Sequence, residues 1–228
     1  MAIAFDAFTD GNYTNSATTH TFSHTCTGSD RILFVTGFTN TSSDYITGIT
    51  YNGVAMTLVN KLAAAASRYA YIFYLVAPAT GANNVVLTAS SSSALGGNAS
   101  SYTGASQTGQ PDASSSQTIG ASPVNNSVTT VADNCWSILT QLNNQLTPSV
   151  ASTNSTLRGG NTTFTDAQIF DNNTAITPAG SYTMTTTNPD DGDYIYLMAS
   201  FAPAVAGPLL KTINGKVIAD VKSYNNLT

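Results

Sequence analysis

The chain has 228 residues, 42% of them hydrophobic and only 8% charged, with 7 Lys+Arg against 12 Asp+Glu. Every acid is an Asp, the pI is near 4.5, and no long uncharged apolar run occurs. These features exclude a disordered chain, a basic phosphate-binding surface and a membrane-spanning helix, so neither nucleic acid nor membrane is an expected partner. Polar positions therefore fall to Ser, Thr, Asn and Gln; the first three are weak helix formers, and the composition predicts an all-β fold.

Period-2 segments recur along the chain. Residues 2–9 (AIAFDAFT) and 19–26 (THTFSHTC) alternate as two strands, and 31–39 (RILFVTGFT) reads as a more buried one. In ITYNGVAMTLV, residues 49–59, Asn52-Gly53 lies between two β-prone arms and supplies the positive φ of a type I′ turn. Residues 67–77 (SRYAYIFYLVA) are apolar on both faces, which marks a central strand, and Pro78 stops it. Residues 81–90 form another strand. The Ser- and Gly-rich stretch beyond them reads as a long irregular connection enclosing one strand around Tyr102. Residues 128–142 read as one core strand, with Trp136 and Ile138 on one face and Cys135, Ser137 and Leu139 on the other. Phe164, Ile169 and Phe170 mark a strand pair, and 182–187 and 194–201 complete an antiparallel β-sandwich body, residues 1–206, of jelly-roll-like type.

Composition changes after PAVAGP. From Gly207 onward Lys211, Lys216 and Lys222 face a single Asp220, whereas the body carries four basic and eleven acidic residues. LLKTINGKVIADV predicts a short C-terminal β-hairpin turning at Asn214-Gly215. KTING recurs as KSYNN eleven residues later, which brings in Tyr224. A lone hairpin is marginal in water. Residues 207–228 must therefore pack on their own body, on a second copy or on another protein; docking on the parent sandwich is the plain alternative to an assembly tail with Lys211, Ile213, Val217, Ile218 and Val221 among its contacts.

Candidate chemical sites are sparse. His20 and His24 share a strand face, but no third ligand lies near in sequence, and a hydrogen-bonded face is the expectation. Asp190, Asp191 and Asp193 surround Gly192 in a loop with calcium-like oxygen donors, although the spacing matches no EF-hand and a turn accounts for it. Cys26 and Cys135 read as two buried thiols, with a single disulfide between them as the alternative. No nucleophile motif or paired carboxylate stands out, so no enzyme activity and no cofactor are expected. Tyr13, Tyr45 and Tyr102 are placed in loops, as candidate glycan contacts.

The succession ITYNGVAMTLV, YIFYLVAPATGANNVVLTAS, NCWSILTQ and the terminal KTING resembles a domain of virion and surface proteins of tailed bacteriophages. The resemblance covers roughly residues 20–140 plus the tail. It implies a jelly-roll-like sandwich displayed on a particle as a head decoration, head fibre or tail component. It also implies a homo-oligomer, a trimer by analogy with fibres, bound to another virion protein, with a host surface glycan as a further partner. The start MAIAFDAFTDGNYTN has no basic n-region, so assembly in the host cytoplasm without a signal peptide is expected. A carbohydrate- or receptor-binding module is the alternative.

Overall fold

In the structure, a computed structural model, every regular element among the described residues is a strand. It describes residues 1–64, 67–119, 122–143, 148–161, 167–188 and 194–205, together with the backbone of 211–213 and 216–218. The packed antiparallel sheets are those of an all-β sandwich.

Strands β1 (Ala4–Cys26) and β7 (Gly81–Thr103) pair antiparallel from Ala4↔Thr103 to Cys26↔Gly81. On the other side of β7, β2 (Ile32–Thr39) takes the C-terminal part and β3 (Ile46–Tyr51) the N-terminal part. Beyond β2 lie β6 (Arg68–Val76) and β5 (Thr57–Ala64), and beyond β3 lies β4 (Val54–Ala55). A straight 23-residue strand would span about 75 Å. The β1–β7 ribbon instead loses register between Thr14 and Thr19 and folds its two parts over one core. Leu33, Val35, Tyr71 and Phe73 on one side of that core meet Ile49, Tyr51, Val85 and Leu87 on the other.

The second half holds a five-stranded sheet in the order β12 (Thr156–Asn161), β13 (Ala167–Asp171), β10 (Trp136–Leu142), β15 (Tyr194–Phe201), β8 (Ala113–Ile119). A three-stranded sheet of β11 (Val150–Ala151), β14 (Ser181–Thr187) and β9 (Val124–Thr129) covers its outer face through Val128, Leu139, Phe170, Met184 and Tyr196. Its inner face packs on the first half through Phe34, Phe38, Ile72 and Tyr102 against Trp136, Ile138, Ile169 and Phe201. Three apolar cores thus alternate with four layers of sheet. A short pair, β16 (Lys211–Ile213) and β17 (Lys216–Ile218), forms a separate two-stranded sheet.

Several expectations hold at residue level. Asn52 (φ 49°) and Gly53 (φ 76°) close the two-residue turn between Tyr51↔Val54, and β6 is buried on both faces between β2 and β5. Three need correction. Residues 2–9 and 19–26 belong to one continuous β1, because Asn12 and Ser16 (φ 59° and 49°) kink the strand without ending its pairing. The supposed irregular connection after residue 90 is the C-terminal part of β7. There Gly96, Gly97 and Ser residues serve close packing; a side chain on Gly97 would meet the Thr36 carbonyl at 2.7 Å. Residues 128–142 split between β9 and β10, which lie in different sheets with a turn through the left-handed Asn134 between them.

Candidate functional site

β1 places His20 and His24 on one inward face, and every ring nitrogen already has a partner. His24 Nε2 lies 3.0 Å from Ser101 Oγ, Ser101 donates to Asp6 Oδ2 at 2.8 Å, and Thr9 Oγ1 lies 2.8 Å from His24 Nδ1. Ser101 spends its proton on Asp6, so Nε2–H must donate to Ser101 and Nδ1 must accept from Thr9. Serine, histidine and aspartate are therefore together, but in an order unlike that of a nucleophilic triad: the acid holds the serine, not the imidazole. Ser101 is also fully buried. Burial pulls His24 down to about 4, against the pull of nearby Asp6, so the ring is neutral. Burial pushes Asp6 up, but bonds from the Thr27 hydroxyl and amide and from Ser101 outweigh it and hold the carboxyl below its usual range. His20 bonds the Gly11 carbonyl at 2.9 Å and Thr14 Oγ1 at 2.9 Å, and burial likewise lowers it. Among the described residues no group of three or more His, Cys or acidic side chains could hold a metal.

The three tyrosines do not form a platform. Tyr102 is fully buried in the central core against Phe5, Trp136 and Phe201, which corrects its assignment as a glycan contact: it sits in the middle layer, where no sugar reaches. Half-buried Tyr13 lies within β1 and packs on that same core, whereas Tyr45 packs on the core of the first half. Asp190, Asp191 and Asp193 lie outside the described residues. So do Asn214, Gly215, Val221 and Tyr224. For Lys211, Ile213, Val217 and Ile218 only the backbone is described, with Lys211↔Ile218 and Ile213↔Lys216 paired.

Two surface features were not legible in the sequence. The first is a groove of about 600 Å³ floored by Ile3 and Trp136 and rimmed by Asp133, Pro203 and Val205. Val205 is 89% exposed and stands two positions before Gly207, where the tail begins. The second is a cleft of about 220 Å³ between β8 and β9, lined by Ser115, Gln117, Asn125, Asn126, Tyr196 and Met198. Gln117 Nε2 donates to Asn126 Oδ1 at 2.6 Å and to the Asn125 carbonyl at 2.8 Å. That contact orients the Asn126 amide, whose buried Nδ2 has no protein partner. Neither feature could be inferred from local sequence, since each joins segments far apart in the chain.

Comparison of the chain with protein-family models, with curated proteins and with solved structures finds no match.

Proposed function

We propose that the protein is a non-enzymatic structural component of a bacteriophage particle, a capsid decoration, head fibre or tail component, whose C-terminal tail mediates assembly. The observation that carries this reading is the separate β16–β17 pair, which follows the body and, among the described residues, shares no ladder with its sheets. A two-stranded ribbon has too little apolar cover to be stable alone, and its open edges offer backbone groups for strand addition. Uncharged Ser, Thr and Asn at most of the exposed positions of the outer strands suit a surface facing a crowded medium without charge-driven adhesion. The test compares full-length protein with a chain truncated after residue 206, by light scattering and by binding to particles that lack the protein. A truncated body that stays folded but loses oligomerisation and particle binding is expected; retained assembly overturns the proposal.

A second reading, a carbohydrate-binding module, rests on the β8–β9 cleft. Its lining is neutral, it offers amide and hydroxyl groups beside a tyrosine, and its size suits one monosaccharide. Asn126→Phe would fill the cleft. Retention of a neutral saccharide that is lost in this variant supports the reading, and retention unchanged by it removes the cleft from consideration.

A further inference from the structure

The two halves share one wiring. In the first, the order β5-β6-β2-β7-β1 runs through the C-terminal part of β7, and β3 flanks its N-terminal part. In the second, β12-β13-β10-β15-β8 forms one sheet, while β11 flanks β14 and β14 pairs with β9. If β8 and β9 stand for the two parts of β1, and β15 and β14 for the two parts of β7, these antiparallel pairings correspond one to one.

The correspondence extends to single residues. A displacement of 104 positions carries Thr36 to Thr140. The same displacement carries Ile32, Phe34 and Phe38 to Trp136, Ile138 and Leu142, all in the central core. It also carries Asp30 (φ 49°) to Asn134 (φ 61°), so that one left-handed residue precedes the second strand of each half. Opposite those strands, Ala70-Tyr71-Ile72-Phe73 and Ala167-Gln168-Ile169-Phe170 occupy matching ladder positions. The irregularity between Leu58 and Asn60 in β5 recurs between Leu157 and Gly159 in β12, each just after a Thr-Leu pair in the same register.

A polar clasp is repeated too. Asp6 Oδ2 accepts from the Thr27 amide and from Ser101 Oγ, both at 2.8 Å. Asp112 Oδ2 accepts from the Val131 amide at 2.8 Å and from Ser200 Oγ at 3.1 Å. Thr27 and Val131 are related by the same displacement, and Ser101 and Ser200 face Leu33 and Ser137 at equivalent rungs. Independent sheets have no physical reason to repeat a register, a bulge and a clasp together.

The halves meet reciprocally. β5 lies against β8 and β15, and β12 lies against β1 and β7. At the centre Thr36 bonds its own counterpart, Thr140, at 2.8 Å. Such self-matching is the property of an isologous two-fold contact. We infer that the body is a covalently linked pseudo-dimer: residues 4–103 and 113–201 are two copies of one folding unit, and the face each lays on the other fits a second copy of the same unit. The copies have diverged at their contact, as in Ile32 against Trp136, and also inside each unit. Phe22, which fills the first unit beside Gly11 and Gly97, becomes Asn126, and Gly97 becomes Tyr196, which leaves the β8–β9 cleft in the second unit alone.

A protease site inserted between exposed Thr108 and Gly109, in the connection from β7 to β8, lets the folded full-length protein be nicked. The nicked protein is expected to elute at the mass of the intact chain, held by the contact alone. Unfolded in denaturant, refolded and examined by native mass spectrometry, it should yield the mixed pair together with the self-pair of fragment 1–108. Fragments that separate or precipitate on nicking overturn the inference. So does a refolded sample that contains the mixed pair but no self-pair, or one in which fragment 1–108 is monomeric.

Discussion

The hydroxyls of Thr36 and Thr140 lie 2.8 Å apart, both buried, in the layer between the two halves, where Asn98 also donates to the Ala167 carbonyl at 2.7 Å. One must donate and the other accept. Valine at either position alone strands a buried hydroxyl, at a cost of about 1–3 kcal/mol, whereas valine at both removes donor and acceptor together in nearly the same shape. Denaturant unfolding of Thr36→Val, Thr140→Val and the double variant should place the double variant closer to the parent than either single one. Additive losses would show that the two hydroxyls do not depend on each other.

Acidification should weaken the fold through His24. An unfolded histidine protonates near pH 6.5, but buried His24 does so only at about 4. Between those values the unfolded chain binds a proton that the folded chain refuses, so stability falls as pH falls, by about 3 kcal/mol in total. His20, also lowered by burial, acts in the same direction. Asp6, held below its ordinary value, gives up its share only at lower pH still. Urea midpoints at pH 7 and pH 4.5 measure the drop, and His24→Gln should shrink it; an equal drop in that variant assigns the effect elsewhere.

Arg158 joins the two halves. Its guanidinium donates to Asp171 at 2.6 and 2.9 Å and lies 4.2 Å from the ring centroid of Phe5. Burial pushes the Asp171 carboxyl up even though Arg158 pulls it down, so the pair is an expensive one to break. Arg158→Met, which leaves the buried carboxyl unpaired, should cost about 3–5 kcal/mol. Adding Asp171→Leu should recover part of that loss. Thermal or urea unfolding of both variants decides it, and a loss under 1 kcal/mol for the single change would count against the pair.

Cys26 and Cys135 are free and buried. Burial raises both thiols, Cys135 to about 12, so thiolate is scarce at neutral pH. A chromogenic disulfide reagent should find no reactive thiol in the native protein and two in denaturant; fast native labelling of either would contradict its burial.

What the sequence reveals follows the range of the physics involved. Asn52-Gly53 needs only its own backbone preferences to declare a turn, and the doubly apolar Tyr69–Val76 run declares an interior strand. The length of β1 and β7 is hidden because Gly, Ser and Asn usually end a strand, whereas here Gly11 and Gly96 are required by close packing on Phe22 and Phe38. The repeat of Ala70-x-Ile72-Phe73 as Ala167-x-Ile169-Phe170 was present as letters. Loops of unequal length change the spacing between equivalent strands, however, so only the ladders expose it. Tyr102 shows the opposite failure: its polar neighbours suggested solvent, yet Ser100 bonds its hydroxyl inside the core.

The Met1 amine meets the Ala204 carbonyl at 2.7 Å. Entry to and exit from the stack therefore share a single pole, at the foot of the groove floored by Trp136. A dye carried on residue 1 would sit at the root of the tail, and its emission would change with whatever docks there.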